Sequence, residues 1–126
     1  MKRQSDFRNY LAGAALTFGV VLLTSQILQL AYGGMSPEER EPLYEFVMLV
    51  YLGAHILGGS LGGYLVARVL RNDFLKIGMV TAVLAYIFEF VYNMVAYQAV
   101  FIDIYAMLGL LIGCVIGAMF FRYTNL

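Results

Sequence analysis

Four apolar stretches dominate this chain of 126 residues, and each is long enough to cross the hydrocarbon core of a bilayer, which takes roughly 20 residues of helix. We place them at residues 10–32, 46–67, 77–99 and 104–121. A backbone surrounded by lipid must satisfy its own hydrogen bonds, and a helix does so within one segment. The sequence therefore predicts an all-α, four-helix transmembrane bundle that forms a single membrane domain over residues 1–126.

The charge content also indicates lipid as the main solvent. Charged residues make up 13% of the chain and hydrophobic residues 62%, whereas a soluble domain carries about 25% charged residues. The formal net charge is zero, which gives no basis for binding nucleic acid. The single cysteine, Cys114, lies in an apolar run and cannot form a disulfide within the chain.

Basic residues are distributed unequally between the two ends of the predicted bundle. Arg40 lies at the end that carries residues 33–45, together with four glutamates. Since basic residues are retained on the cytoplasmic side, we expect both termini to be cytoplasmic in the plasma (inner) membrane of a prokaryote. The first span is followed by the poor cleavage site LQLAYGG, so we expect a retained span and not a signal peptide. The basic residues of the opposite end are Lys2, Arg3, Arg8, Arg68, Arg71, Lys76 and Arg122.

The loop between the first two spans, GGMSPEEREPLYEF (33–46), contains a pattern that is typical of a helix start. Ser36 is a common N-cap residue, Pro37 suits the first helical position, and Glu39 stands where a capping box would place it. We therefore expect a short interfacial helix in this loop. At the start of the last span, we expect Asp103 to act as the N-cap.

Glycines recur at four-residue spacing in the second and fourth spans. This spacing places them on one face of each helix, where the missing side chains let two backbones approach closely. Packing of the two spans within the chain is one explanation. The other explanation is an interface with a partner or a second copy of the chain, because the double row of glycines in the second span is wider than one neighbouring helix needs. The residues are Gly58, Gly59, Gly62 and Gly63 in the second span, and Gly109, Gly113 and Gly117 in the fourth.

Two ionisable side chains lie within the predicted spans. His55 belongs to the glycine-bearing face of the second span, and Glu89 shares a face of the third span with Asn93. Intramembrane ionisable groups are costly and often mark a function, so these three residues form a candidate proton relay or cation site. The other explanation is an interhelical hydrogen bond that fixes the register of the helices. We identify no catalytic residue and no metal-ligand spacing, and we expect no cofactor.

Three segments carry a pattern that covers most of the chain: PLYEFVMLVYLGAHILGGSLGGYLVARVL (42–70), IGMVTAVLAYIFEFVYNM (77–94) and LGLLIGCVIGAMF (108–120). A glycine-rich span follows an acidic loop and ends in Ala67 and Arg68, an asparagine lies late in the third span, and the fourth is rich in small residues. This pattern resembles a group of small four-span prokaryotic integral membrane proteins of unknown function. The resemblance implies the four-span topology and implies no chemistry.

These observations predict a non-catalytic membrane protein. It would be an accessory or scaffold subunit of a larger membrane complex, or a homo-oligomer packed through its glycine faces. The alternative, from a different class, is a small proton- or cation-coupled transporter or channel that uses Glu89, His55 and Asn93. We do not expect an enzyme, because the sequence contains no recognisable nucleophile–base pair or metal triad. The predicted partners are the lipid bilayer and other membrane subunits or further copies of the chain.

Overall fold

The computed structural model describes residues 2–100 and 102–125, and this part of the chain is helical, without strands. Four of its helices are long and apolar enough to cross a membrane, which confirms the all-α, four-span prediction. The helices are α1 (Lys2–Tyr32), α2 (Pro37–Arg40), α3 (Tyr44–Leu70), α4 (Phe74–Tyr97) and α5 (Ile104–Thr124), with a 3₁₀ turn at Glu41–Leu43 between α2 and α3.

Side-chain caps determine where α2 and α5 begin. The Asp103 carboxylate accepts a hydrogen bond from the backbone N–H of Ala106 at 3.0 Å, so α5 begins at Ile104, as predicted. The Ser36 hydroxyl accepts the backbone N–H of Glu39 at 3.3 Å at the start of α2. Each cap satisfies one of the donors that the first turn of a helix leaves without a partner.

The predicted apolar spans leave residues 68–76 between the second and third helices, but the turn that joins α3 and α4 is shorter. Helix α3 continues to Leu70, where Arg71 adopts a left-handed conformation with φ 54° and its N–H bonds to the Ala67 carbonyl at 2.9 Å. Helix α4 begins at Phe74 because the side chain of Asp73 caps it. Hydropathy places the ends of a span at its charged residues, whereas these capping interactions continue the helices past Arg68 and Lys76.

The four long helices form a ring in the order α1, α3, α5, α4. Helix α3 packs against α5 and α1, whereas α4 packs against α5 and, less extensively, against α1. Helices α3 and α4, which are not neighbours in the ring, also contact each other across its middle. We call this contact the short diagonal of the bundle. One core cluster consists of Ala14, Ala82, Ala85, Leu110 and Cys114. A second consists of Val66, Ala67, Ile77, Ala118 and Phe121.

The two ends of the bundle differ in charge. The acidic end consists of residues 33–45, 98–100, 102 and 103, and its charged residues are Glu38, Glu39, Arg40, Glu41, Glu45 and Asp103. The basic end consists of the first residues of α1 together with residues 68–76 and 122–125. Its basic residues include Arg8, Arg68, Arg71, Lys76 and Arg122. Lys2 and Arg3 belong to α1, and their side chains lie outside the described part of the chain.

Candidate functional site

Glycines bring α3 and α5 into backbone-to-backbone contact, which we call the α3–α5 seam. A Cβ atom added at Gly113 would overlap the carbonyl oxygen of Ile56, and one at Gly117 would overlap that of Ser60. There is no space for side chains at these positions, so the two helices lie as close as their backbones allow. The glycines of the seam are Gly59, Gly63, Gly109, Gly113 and Gly117.

The second glycine row of α3, Gly58 and Gly62, faces α1 of the same chain. A Cβ atom at Gly58 would lie 3.0 Å from the carbonyl oxygen of Thr17, and one at Gly62 would overlap the Thr17 hydroxyl. The single hydrogen of this hydroxyl is shared between the carbonyl oxygens of Gly13 at 2.9 Å and Gly58 at 3.0 Å. The wide double row therefore contacts two neighbours within the chain, and all seven predicted glycines lie against helices of their own chain.

Two glycines that the sequence patterns did not single out also lie at close helix contacts. Gly78 of α4 faces α5, where an added Cβ would lie 2.6 Å from the Cα atom of Val115, and Gly13 of α1 faces α3. Neither has a second glycine four residues away, which is the spacing that identified the others. The sequence signal for these two contacts was weaker, because the residue four positions after Gly78 is Ala82 and the one after Gly13 is Thr17.

Three side chains meet across the short diagonal between α3 and α4, and we call them the buried triad: Tyr51, His55 and Glu89. The Nε2 atom of His55 lies 3.1 and 3.0 Å from the two carboxyl oxygens of Glu89. The Tyr51 hydroxyl donates a hydrogen bond of 2.6 Å to Oε1 of Glu89. His55 is fully buried and Glu89 is 5% exposed. Their polar atoms therefore depend on one another for partners.

The hydrogen-bond partners restrict where the protons of the triad lie. His55 Nδ1 lies 2.8 Å from the carbonyl oxygen of Tyr51, which only accepts hydrogen bonds, so Nδ1 carries a hydrogen. One further proton is shared between Nε2 and the Glu89 carboxyl group. It gives either an imidazolium–carboxylate pair or a neutral imidazole beside a carboxylic acid. The pair has no net charge in either state, which limits the cost of burying it in an apolar interior.

The surrounding helices position the triad. Tyr51 and His55 are one turn apart on α3, and their rings meet edge to face with centroids 4.3 Å apart. Gly109 of α5 makes room for the imidazole, since a Cβ atom there would lie 3.0 Å from the Cβ of His55. Asn93 follows Glu89 by one turn, is half-buried, and has no hydrogen bond to the triad within the described residues. The structure thus brings His55 and Glu89 together with Tyr51 in place of Asn93.

The buried polar side chains between the triad and the basic end bond to backbone carbonyls. In the described part of the chain, the buried polar or charged side chains are Thr17, His55, Thr81 and Glu89. The Thr81 hydroxyl donates to the carbonyl oxygen of Ile77 at 2.7 Å, within α4. The two threonines thus use their hydroxyls on backbone carbonyls, and no row of buried ionisable groups leads from the triad to the basic end in this part of the chain.

Tyr51 connects the triad to the surface. Its side chain is half-buried and lines a groove of about 470 Å³ near the acidic end, on the side where α3 and α5 meet. The triad is therefore enclosed, but one of its three members reaches a surface that a ligand can contact. The other residues that line the groove are Tyr44, Glu45, Met48, Leu49, Leu52 and Tyr105.

Comparison of the chain with protein families, with curated proteins and with solved structures finds no match. The resemblance to small four-span prokaryotic membrane proteins therefore stays a prediction that rests on the sequence pattern. Within residues 2–100 and 102–125, no three His, Cys, Asp or Glu side chains come together as metal ligands would. A function has to be argued from the helix contacts, the buried triad and the groove.

Proposed function

We propose that this protein is a non-catalytic, multi-pass subunit of a membrane assembly, formed with other proteins or with further copies of itself. The observation that carries the proposal is a row of exposed residues along α1, which we call the α1 stripe. It combines leucines with small residues and one glutamine at alternating four- and three-residue spacing. The stripe consists of Ala12, Leu16, Gly19, Leu23, Gln26 and Leu30, all exposed.

The α1 stripe has the spacing of a seam between two helices. Its leucines are seven residues apart, and so are its other members, Ala12, Gly19 and Gln26. A sustained seven-residue repeat favours left-handed packing against a second helix. Small residues permit close approach, and a glutamine amide within the hydrocarbon gains from a hydrogen bond to another helix. No atom lies within 4 Å of the Cβ position at Gly19, so a second helix has room to pack there.

The glycine contacts also favour α1 as the docking surface. The glycines of α3 and α5 already face helices of the same chain, so they are not free for a partner. Helix α1 is, in addition, the least buried of the four spans. We therefore assign the interface to the α1 stripe and not to the glycine rows that the sequence favours.

Gentle extraction from native membranes, followed by sizing and mass spectrometry, tests the proposal. We expect the protein to elute with partner chains, or as an oligomer, in fixed stoichiometry. Gly19→Leu should release it from the assembly. Gly53→Leu is the matched control, because no atom lies within 4 Å of the Cβ position of this α3 glycine either. A protein that leaves the native membrane as a monomer contradicts the proposal.

We further propose that both termini are cytoplasmic, in the plasma membrane of a prokaryote, and that α2 lies at the opposite membrane surface. Seven of the eight basic residues belong to the basic end, and basic residues are retained on the cytoplasmic side. Labelling of intact cells with a membrane-impermeant maleimide tests this. Ser36→Cys should react, whereas Asn72→Cys should react only after permeabilisation; the reverse result contradicts the orientation. Cys114 is buried and provides the background reaction.

A second candidate function, proton- or cation-coupled transport, is favoured by the buried triad. The proton shared by His55 and Glu89 gives the bundle a group that can be protonated or deprotonated within the membrane. Proton flux into liposomes under an imposed pH gradient tests this function, with Glu89→Gln expected to abolish the flux. Asn93→Leu is the matched control, since Asn93 lies one turn away without bonding to the triad. The absence of flux in the unmodified protein rejects this candidate.

A further inference from the structure

We propose that the groove between α3 and α5 at the acidic end binds a monovalent organic cation that carries an apolar group. The inference goes beyond the role of a subunit and does not depend on whether the α1 stripe has a partner. It rests on the combination of one carboxylate, aromatic rings and an apolar wall in the same groove, and on the hydroxyl that joins this groove to the buried triad.

The charged group of the groove is Glu45, which is exposed in the first turn of α3. Within the described residues, the one contact at ion-pair distance between a basic and an acidic side chain is that of His55 with Glu89, so the Glu45 carboxylate has no cationic side chain beside it. A single carboxylate next to apolar surface attracts one positive charge. A divalent metal ion would require several oxygen ligands, and Glu45 is the one acidic residue among those that line the groove.

The aromatic rings of the groove favour an organic cation over a small inorganic ion. Tyr44 is 65% exposed and Tyr105 is 66% exposed, and both line the groove beside Glu45. The face of an aromatic ring attracts a cation, and it does so best when the cation is weakly hydrated, as ammonium and phosphonium groups with organic substituents are. The tyrosines and the carboxylate thus recognise the same chemical group.

The remaining wall suits the apolar part of such a ligand. It consists of Met48, Leu49 and Leu52, and Leu49 is 68% exposed. Methionine adapts its shape to a ligand more readily than branched side chains do. The volume of about 470 Å³ lies within the roughly 300–1,000 Å³ that is typical of small-molecule sites. The groove therefore accommodates a ligand of a few fused or branched apolar groups.

Tyr51 links the groove to the buried triad. One side of this residue lines the groove, and its hydroxyl donates to Glu89 at 2.6 Å. A ligand that displaces Tyr51 must therefore change a hydrogen bond to the group that shares a proton with His55. Because His55 is the single histidine of the chain, ¹⁵N-labelled histidine reports this change from one residue.

The first test is equilibrium dialysis of tetraphenylphosphonium against the purified protein in neutral dodecyl maltoside micelles, with empty micelles as the partition control. We expect saturable binding that Glu45→Gln weakens by about tenfold or more, because the carboxylate supplies the attractive charge. Glu41→Gln makes the same charge change in the 3₁₀ turn, outside the groove, and should alter affinity by less than about twofold. If Glu45→Gln does not fold, Leu49→Arg, which puts a cation in the groove, should abolish binding.

The second test is the ¹⁵N spectrum of His55 during the same titration. The probe should shift the signals in the unmodified protein and leave them unchanged in Tyr51→Phe, which keeps the ring but lacks the hydroxyl. The proposal is overturned by a lack of saturable binding, or by equal weakening in Glu45→Gln and Glu41→Gln. Phosphatidylethanolamine added to the micelles should not displace the probe; displacement would identify a lipid headgroup as the occupant and would also overturn the proposal.

Discussion

Two helix contacts on opposite sides of the ring are built in different ways. In the α3–α5 seam, four of the five glycines face backbone atoms: Gly59, Gly63, Gly113 and Gly117. The contact between α1 and α4, which we call the α1–α4 seam, contains large rings: Phe18 lies 6.3 Å from Phe88 and 5.6 Å from Tyr92 between ring centroids. Gln29 adds a hydrogen bond of 3.1 Å to the Tyr97 hydroxyl.

The difference shows how a membrane protein can combine a fixed contact with an adaptable one. Lipid chains are as apolar as the side chains of a helix, so helices associate in a bilayer mainly through close packing and hydrogen bonds. Backbone atoms cannot change rotamer, and the α3–α5 seam therefore has one close-packed arrangement. Aromatic rings can rotate and shift, so the α1–α4 seam should tolerate substitution. Four substitutions test this difference between the two seams.

The largest effect is expected in the α3–α5 seam. Gly117→Val should destabilise the bundle by about 3 kcal/mol, because the new side chain would overlap the Ser60 carbonyl and neither backbone can move without separating the helices. Unfolding of the protein in micelles by increasing sodium dodecyl sulfate measures the change. Gly53→Val is the control, since no atom lies within 4 Å of its Cβ position. Equal losses for the two variants would show that the seam is not specially constrained.

The contact across the short diagonal should be nearly as sensitive. Glu89→Leu leaves the fully buried His55 without its partner, so we expect a loss of about 3 kcal/mol. The double variant His55→Leu/Glu89→Leu should lose less than the sum of the two single variants, because it leaves neither the fully buried imidazole nor the carboxyl group without the other. The same unfolding assay provides this double-mutant cycle. Additive losses would mean that the two side chains do not interact.

The α1–α4 seam should respond more weakly. Phe18→Leu removes the contacts with Phe88 and Tyr92 but leaves an apolar side chain that can repack, so we expect a loss of about 1 kcal/mol. Phe7→Leu on the same helix is the control, because Phe7 is 54% exposed and makes no comparable ring contact among the described residues. A loss for Phe18→Leu as large as that for Gly117→Val would remove the distinction between the two seams.

The smallest effect is expected at the hydrogen bond of the α1–α4 seam. Tyr97→Phe removes the acceptor of Gln29 in an exposed position, and we expect a loss of about 0.6 kcal/mol, the average for hydrogen bonds between membrane helices. Tyr123→Phe serves as the control, since Tyr123 is 83% exposed. A loss above about 2 kcal/mol would indicate that the seam depends on this hydrogen bond more than on its rings.

The features that the sequence predicts are those determined by residues that lie close together along the chain. The apolar spans and the caps at Ser36 and Asp103 are local, so length, hydropathy and side-chain type were sufficient to find them. The sequence grouped Glu89 with His55 and Asn93, and the structure places His55 beside Glu89. The third member was not local: four-residue spacing favoured Asn93 on the same helix, whereas the structure supplies Tyr51 from α3, across the short diagonal.

The sequence likewise does not show which helix each glycine row of α3 faces. Spacing showed that Gly58 and Gly59 start two adjacent rows on one helix. Which row faces α1 and which faces α5 depends on the order of the helices around the ring, and this order is set by packing between distant segments. For the same reason Gly78, whose only small neighbour at that spacing is an alanine, could be recognised as a contact residue only from the structure.

The order of the helices around the ring also governs the biosynthesis of the protein. Helix α5 is synthesised after α3 and α4, yet it lies between them. Until α5 has been synthesised, Gly59 and Gly63 of α3 and Gly78 of α4 lack the helix that they contact in the complete bundle. The bundle therefore cannot close before its last helix has been made. A chain terminated before α5 would retain three spans with two open faces, which is the kind of surface that membrane proteases and chaperones can distinguish from a finished protein.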